Sequence, residues 1–280
     1  MSIWQAKLFN RSALVIAACT AFGVGSAAPI ARAADAEAVT IDTTFIVKTP
    51  PVFLAKPART ARASVILMAG GNGLLALDST GTMIDNTGNF LIRSADLFLR
   101  DGLNVMMPDT APAHPLGLNF AGRLSATHAA ELQGFINAAL NRWGKPVWVV
   151  GTSNGSISTV TAGGFQPALA GLRGVVLTSS VTVLTPLANQ ATFNLYASRI
   201  TVPALVAWHR DDPCPFVPPA GSAALFAALP SIGKASISFK GGHSVATDPC
   251  DGFSENGYAG IEEEVVEAIA DFIRKGTEQD

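Results

Sequence analysis

The chain is 280 residues long, 49% hydrophobic and only 14% charged, with a formal net charge of −2. An average soluble domain carries about 25% charged residues, so this composition excludes a disordered chain and demands a large buried core. No basic block and no interleaving of aromatic with basic residues occurs, which argues against a nucleic-acid partner.

The first 33 residues differ from the rest. Lys7 and Arg11 precede the apolar stretch "SALVIAACTAFGVG" (12–25), and no Asp or Glu occurs before Asp35. The small–x–small triplet Ala31-Arg32-Ala33 follows. This layout predicts a cleaved secretory signal cut after Ala33, leaving residues 34–280 as a single exported domain, periplasmic or secreted. The apolar run falls short of the roughly 20 residues a membrane span needs. A lipoprotein cut before Cys19 is the alternative, disfavoured because the apolar run continues past Cys19 and Arg11 sits close to it. No later stretch is apolar enough to cross a bilayer. Signal removal takes Cys19 away and leaves Cys214 and Cys250, in an exported protein most simply a disulfide pair.

From about residue 39, short β-rich runs alternate with longer helical ones. "VTIDTTFIV" (39–47) and "PVFLA" (51–55) predict an opening antiparallel pair, and "ASVILMA" (63–69) a strand buried on both faces that ends in "GGNG". "NFLIRSADLFLRDG" (89–102) has helical spacing and a glycine stop, followed by the strand "LNVMMPD" (103–109). "SATHAAELQGFINAALNRWG" (125–144) predicts an amphipathic helix capped by Ser125. Next come the strand "PVWVVG", a helix after Ser153, and the strands "GVVLTSS" (174–180) and "PALVAWH" (203–209). A helix near 219–229, the strand "ASISFKGG" (235–242) and the helix "IEEEVVEAIADFIRKG" (261–276) close the chain. Alternating strands and helices predict an α/β fold with a mostly parallel sheet of about eight strands, covered on both faces.

Gly151-Thr152-Ser153-Asn154-Gly155 fits the G-x-S-x-G nucleophile elbow, in which a serine sits on a sharp strand-to-helix turn. The context supports the motif, since a strand precedes it and a helix follows. A serine hydroxyl needs a base, and folds that use this elbow place serine, acid and histidine in that order. His114 and His128 precede Ser153, and His209 precedes the acid, which leaves His243 in "KGGHS". Asp211 and Asp212, after the penultimate strand, are the candidate acids; one of them would fix the imidazole tautomer. The backbone N–H of Asn154 is the expected oxyanion donor beside the nucleophile. "AGGNG" (69–73) has neither the G-K-[ST] ending of a P-loop nor the G-x-G-x-x-G of a dinucleotide site, so no cofactor is expected. No metal-ligand spacing such as H-E-x-x-H is present.

Together "AGGNG…TGNFLIRSADLFLRDGLNVMMPD", the elbow and "AWHRDDPC…GGHS" resemble the α/β-hydrolase superfamily, in particular a group of exported bacterial hydrolases. The resemblance covers essentially all of residues 34–280. It implies acyl transfer to water through an acyl-serine intermediate, with Ser153, His243 and Asp212 as the triad. Asp212 is preferred over Asp211 because Asp-Pro is frequent at this place in such enzymes. It also implies Gly71 as the second oxyanion donor, from the family pattern His-Gly-x aligned on Ala69-Gly70-Gly71. Ala69 departs from that pattern. Acid and histidine loops that meet would bring Cys214 and Cys250 together as a bond between them. The interval 181–200 is too short for a separate cap domain. His114, Leu74 and Leu75 are candidates either for lining the pocket or for loop packing. A carboxylic ester, small or polymeric, is the expected substrate. An amidase, peptidase or thioesterase with the same triad, or a non-catalytic binding protein on this fold, are the alternatives.

Overall fold

The structure is a computed structural model and describes residues 37–40 and 52–278. The expected signal segment and most of the first expected strand lie outside the described residues. β1 (Glu37–Thr40) pairs antiparallel with β2 (Val52–Lys56), the opening pair that the sequence predicts. β3 (Ala63–Met68) is buried at every position, as expected of an unbroken apolar run inside a sheet. The predicted helix 89–102 is two segments, α1 (Phe90–Arg93) and α2 (Ala95–Arg100), meeting at Ser94. The break is a bend. The Ser94 N–H still donates to Phe90 O and the Phe98 N–H to Ser94 O, so the hydrogen-bond ladder bridges it. Gly102, at φ +77°, ends the segment.

β4 (Leu103–Pro108) follows, and after it the short helix α3 (Phe120–Arg123), which the sequence does not announce. α4 (Ala126–Trp143) starts where expected. The Ser125 hydroxyl accepts from the His128 N–H, and Gly144 ends the helix in the left-handed region at φ +58°. β5 (Val147–Ser153) leads directly into α5 (Gly155–Gly164), then β6 (Leu172–Ser180) and α6 (Leu187–Ala197). β7 (Ala204–His209), α7 (Pro219–Ala228), β8 (Lys234–Phe239) and α8 (Glu262–Thr277) complete the order. α8 carries Glu262, Glu263 and Glu264 in its first turn and Arg274 and Lys275 in its last, matching the helix dipole at both ends.

Among the described residues the strands form one sheet in the order β1-β2-β4-β3-β5-β6-β7-β8. β1 and β2 are antiparallel to their neighbours, and every pairing from β4 to β8 is parallel. Successive side chains sort onto opposite faces. Val65, Leu67, Trp148 and Val150 join Ile269 and Ile273 of α8 on one face. Ile66, Met68, Val147 and Val149 join Phe135 and Ile136 of α4 on the other. Among the described residues no helix is long and apolar enough to cross a membrane. The interval between β6 and β7 holds only α6, an 11-residue helix, in place of a cap.

Candidate active site

The parallel strands end together, so the loops after β3, β5, β7 and β8 gather at one edge of the sheet. Ser153, the last residue of β5, has φ +49°, a region costly for any residue with a Cβ. Its neighbours make that turn feasible. A Cβ on Gly151 would lie 2.2 Å from Thr159 Oγ1 and 2.3 Å from Gly155 O, and one on Gly155 only 1.9 Å from Met68 O. Both positions therefore exclude every residue except glycine, and β5 can fold back over β3 into α5.

The loop after β3 comes up against the serine: a Cβ on Gly70 would be 3.1 Å from Ser153 Cβ. Gly71 is left-handed at φ +57°, and its carbonyl accepts from Asn154 Nδ2 at 2.9 Å. That bond fixes Gly71 and Asn154 side by side. Among the described residues no carbonyl or side chain accepts from either of their backbone amides. Two cavities open here. One, of about 630 Å³, is lined by Gly71, Asn72, Leu116, Leu118, Phe120 and Asn154. The other, of about 430 Å³, holds Ser153 and is lined also by Gly71, Asn86, Asp248, Phe253 and Asn256. His114, Leu74 and Leu75 line neither; Leu75 is core.

Arg123 holds the loop from beneath, a contribution that sequence reasoning does not anticipate. Its guanidinium is 1% exposed and donates to Ala69 O at 3.2 Å, Gly71 O at 3.3 Å and Ser158 Oγ at 2.8 Å. Burial lowers its pKa to about 10, which leaves it charged at neutral pH. His128 Nε2 lies 2.9 Å from the same Ser158 hydroxyl, and its Nδ1 2.9 Å from Glu131 Oε2. Burial pushes the His128 imidazole down, against the raising effect of Glu131. Asp109 shapes the far side of the loop by accepting from the Leu75 and Leu77 N–H groups.

Asp212 is buried and Asp211 exposed. Asp212 Oδ1 accepts from the Cys214 N–H at 2.9 Å, and Oδ2 from Asn256 Nδ2 at 3.0 Å. Burial pushes its carboxyl up to about 6, while those two hydrogen bonds pull the other way. The Asp211 N–H donates to His209 Nδ1, and His209 Nε2 faces Gly241 O at 3.0 Å. His209 is thus a strand-end ring with both nitrogens engaged. His243 is exposed. Its backbone N–H donates to Ala259 O, and its ring lies over Gly260, where a Cβ would be 3.1 Å from Nδ1. Among the described residues no hydrogen bond joins the His243 ring to Ser153 or to Asp212. Cys214 and Cys250 are bonded, linking the Asp212 turn to the loop after β8.

No family model and no curated protein matches the chain. Solved structures do. An esterase of Pyrococcus furiosus superposes with a TM-score of 0.58 at 11% identity, over 87% of this chain and 93% of its own. A dienelactone hydrolase of Anabaena variabilis gives 0.57 at 14%, over 86% and 95%. A monoacylglycerol lipase of Paleococcus ferrophilus gives 0.53 at 17%, over 81% and 99%. This chain has the α/β-hydrolase fold.

Proposed function

We propose that the chain is an exported serine hydrolase of carboxylic esters, with Ser153 as nucleophile. The observation that carries this reading is Ser153 in a left-handed turn beside the unpaired Gly71 and Asn154 amides, at the mouth of an open cavity. Ser153 Oγ adds to the ester carbonyl carbon while its proton passes to a base. The carbonyl oxygen becomes an oxyanion held by the two amides, and its collapse expels the alcohol with that proton. Water then attacks the acyl-serine in the same way and releases the acid.

Asp212 is the acid of this reading and His243 the proton carrier. Gly241 and Gly242, at φ +109° and +69°, precede His243, which would reach Ser153 by replacing Asn256 at Asp212. The Cys214–Cys250 bond supports export, since structural disulfides persist in oxidising compartments. The names of the similar structures, an esterase, a lipase and a dienelactone hydrolase, support an ester as substrate.

The test is hydrolysis of p-nitrophenyl esters from acetate to palmitate by the wild type, Ser153→Ala and His243→Ala. The expected outcome is turnover that both substitutions abolish, with the chain-length profile measuring the cavity. Turnover that survives in Ser153→Ala would end this reading. A second reading, an ester-binding protein without turnover, is favoured by the Asn256–Asp212 hydrogen bond; it predicts saturable ester binding with no product.

A further inference from the structure

Three features place a group between an acid and a serine: it accepts or donates at the buried carboxylate, it faces the cavity of the hydroxyl, and it is held rigidly there. Asn256 has all three. Its Nδ2 donates to Asp212 Oδ2 at 3.0 Å, it lines the cavity that contains Ser153, and it is 3% exposed.

Its turn is fixed from every side. Asn256 lies in the 3-10 turn Glu255–Gly257, and its N–H donates to Ser254 Oγ at 3.1 Å. A Cβ on Gly257 would meet Gly252 O at 1.7 Å, so the two strands of the loop touch backbone to backbone. Arg93 donates to Gly257 O at 2.8 Å and to Gly88 O at 2.7 Å, and its guanidinium stacks 4.8 Å from the centre of the Phe253 ring. The Tyr258 hydroxyl donates to Ala207 O and accepts from the Ser179 N–H. Cys250 ties the same loop to Cys214.

We infer that Asn256 holds the place from which a base must act on Ser153, so that the resting site has nucleophile, oxyanion donors and acid with no base in position until His243 displaces the amide from Asp212. A side-chain amide donates through nitrogen and accepts through oxygen, and at neutral pH it takes up no proton. It keeps Asp212 paired, while the proton transfer that activates the serine oxygen goes unserved. General-base assistance contributes typically about 10²–10⁴-fold, and that factor is what the resting arrangement forgoes. The inference rests on the reading of Ser153 as a nucleophile, and is independent of which ester the cavity takes.

The experiment installs the base. Asn256→His in the full chain, with the disulfide intact, is assayed on p-nitrophenyl acetate and butyrate beside the wild type. The expected result is a rise in kcat of at least about a hundredfold, the low end of the general-base range. The gain should disappear when Asp212→Asn or Ser153→Ala is added. A folded Asn256→His protein no faster than the wild type overturns the inference. A gain that survives Ser153→Ala overturns instead the reading of the nucleophile, so the two failures are distinct.

Where Asn256→His does not fold, Asn256→Ala with added imidazole decides. Saturable rescue of ester hydrolysis by imidazole, absent in the wild type, supports the inference. No rescue in a folded Asn256→Ala protein overturns it. A purely structural asparagine would yield neither the gain nor the rescue.

Discussion

Asp212, the acid of the proposed site, burdens the fold. Its carboxyl rises from 3.8 to about 6 because burial penalises the charge more than Cys214 N–H and Asn256 Nδ2 stabilise it. A carboxyl with a raised pKa binds its proton more tightly folded than unfolded. Its contribution to stability is therefore complete below the ordinary pKa of 3.8 and is lost as pH rises through about 6. At pH 8 the ionised, buried group costs on the order of 2–3 kcal/mol. Asp212→Asn removes the charge; its Oδ1 still accepts from the Cys214 N–H, and its Nδ2 donates to Asn256 Oδ1 once that amide turns over. Denaturant unfolding should show the variant more stable than wild type by that order at pH 8, with the two curves converging near pH 4. A difference that does not change with pH would mean that Asp212 ionisation is uncoupled from folding. The same substitution should abolish any turnover that depends on an imidazolium at Ser153, so stability and activity move in opposite directions at one position.

The β5–α5 junction makes the site a property of packed elements. Gly155 opens α5 against the end of β3, where Met68 pairs with Gly151. Gly155→Ala puts a methyl group 1.9 Å from Met68 O, a backbone atom that cannot swing aside. Overpacking typically costs about 1–3 kcal/mol, and a rigid backbone neighbour places this change at the upper end. A fall in Tm of roughly 5–10 °C for a domain of this size is expected, with loss of Ser153 reactivity toward an acylating probe. An unchanged Tm would mean that β3 and α5 can separate freely. Such junctions are legible in sequence because they rest on local signals: β3 and β5 as continuous apolar runs, glycines at fixed spacing, a Ser125 cap before α4. The sheet order and the serine turn follow from those. Arg123 and Asn256 are not legible in that way. Arg123 bonds a carbonyl 54 positions upstream and Asn256 a carboxylate 44 positions away, and neither carries a period or motif. The bend at Ser94 and the four-residue α3 escape for a related reason, since each is shorter than a hydrophobic period can define.

The Cys214–Cys250 bond reaches furthest, because it joins the two carboxyl-end loops that bear on Asp212 across 36 residues of chain. In the chain-entropy account a loop of that length stabilises the fold by about 4 kcal/mol. The stabilisation should be distributed unevenly. α8 is secured without the disulfide, by Val265, Val266, Ile269 and Ile273 in the core and by the Arg93–Glu262 ion pair. The loop from 241 to 257 contributes few buried apolar side chains and is held by backbone contacts, Arg93 and the bond itself. Segments with few buried contacts open first. Cys214→Ala combined with Cys250→Ala should therefore keep the far-ultraviolet signature of the sheet and lose stability of that order. Amide exchange should accelerate within 241–257 while 262–277 stays protected. Acceleration spread evenly over β3, β5 and α8 would sink this account, because it would make the bond a brace of the whole sheet. Local loosening would instead mean that Asn256 and Asp212 are kept in register by a covalent strap on the loop, so that forming the Cys214–Cys250 bond completes the arrangement around Asp212 as well as the fold.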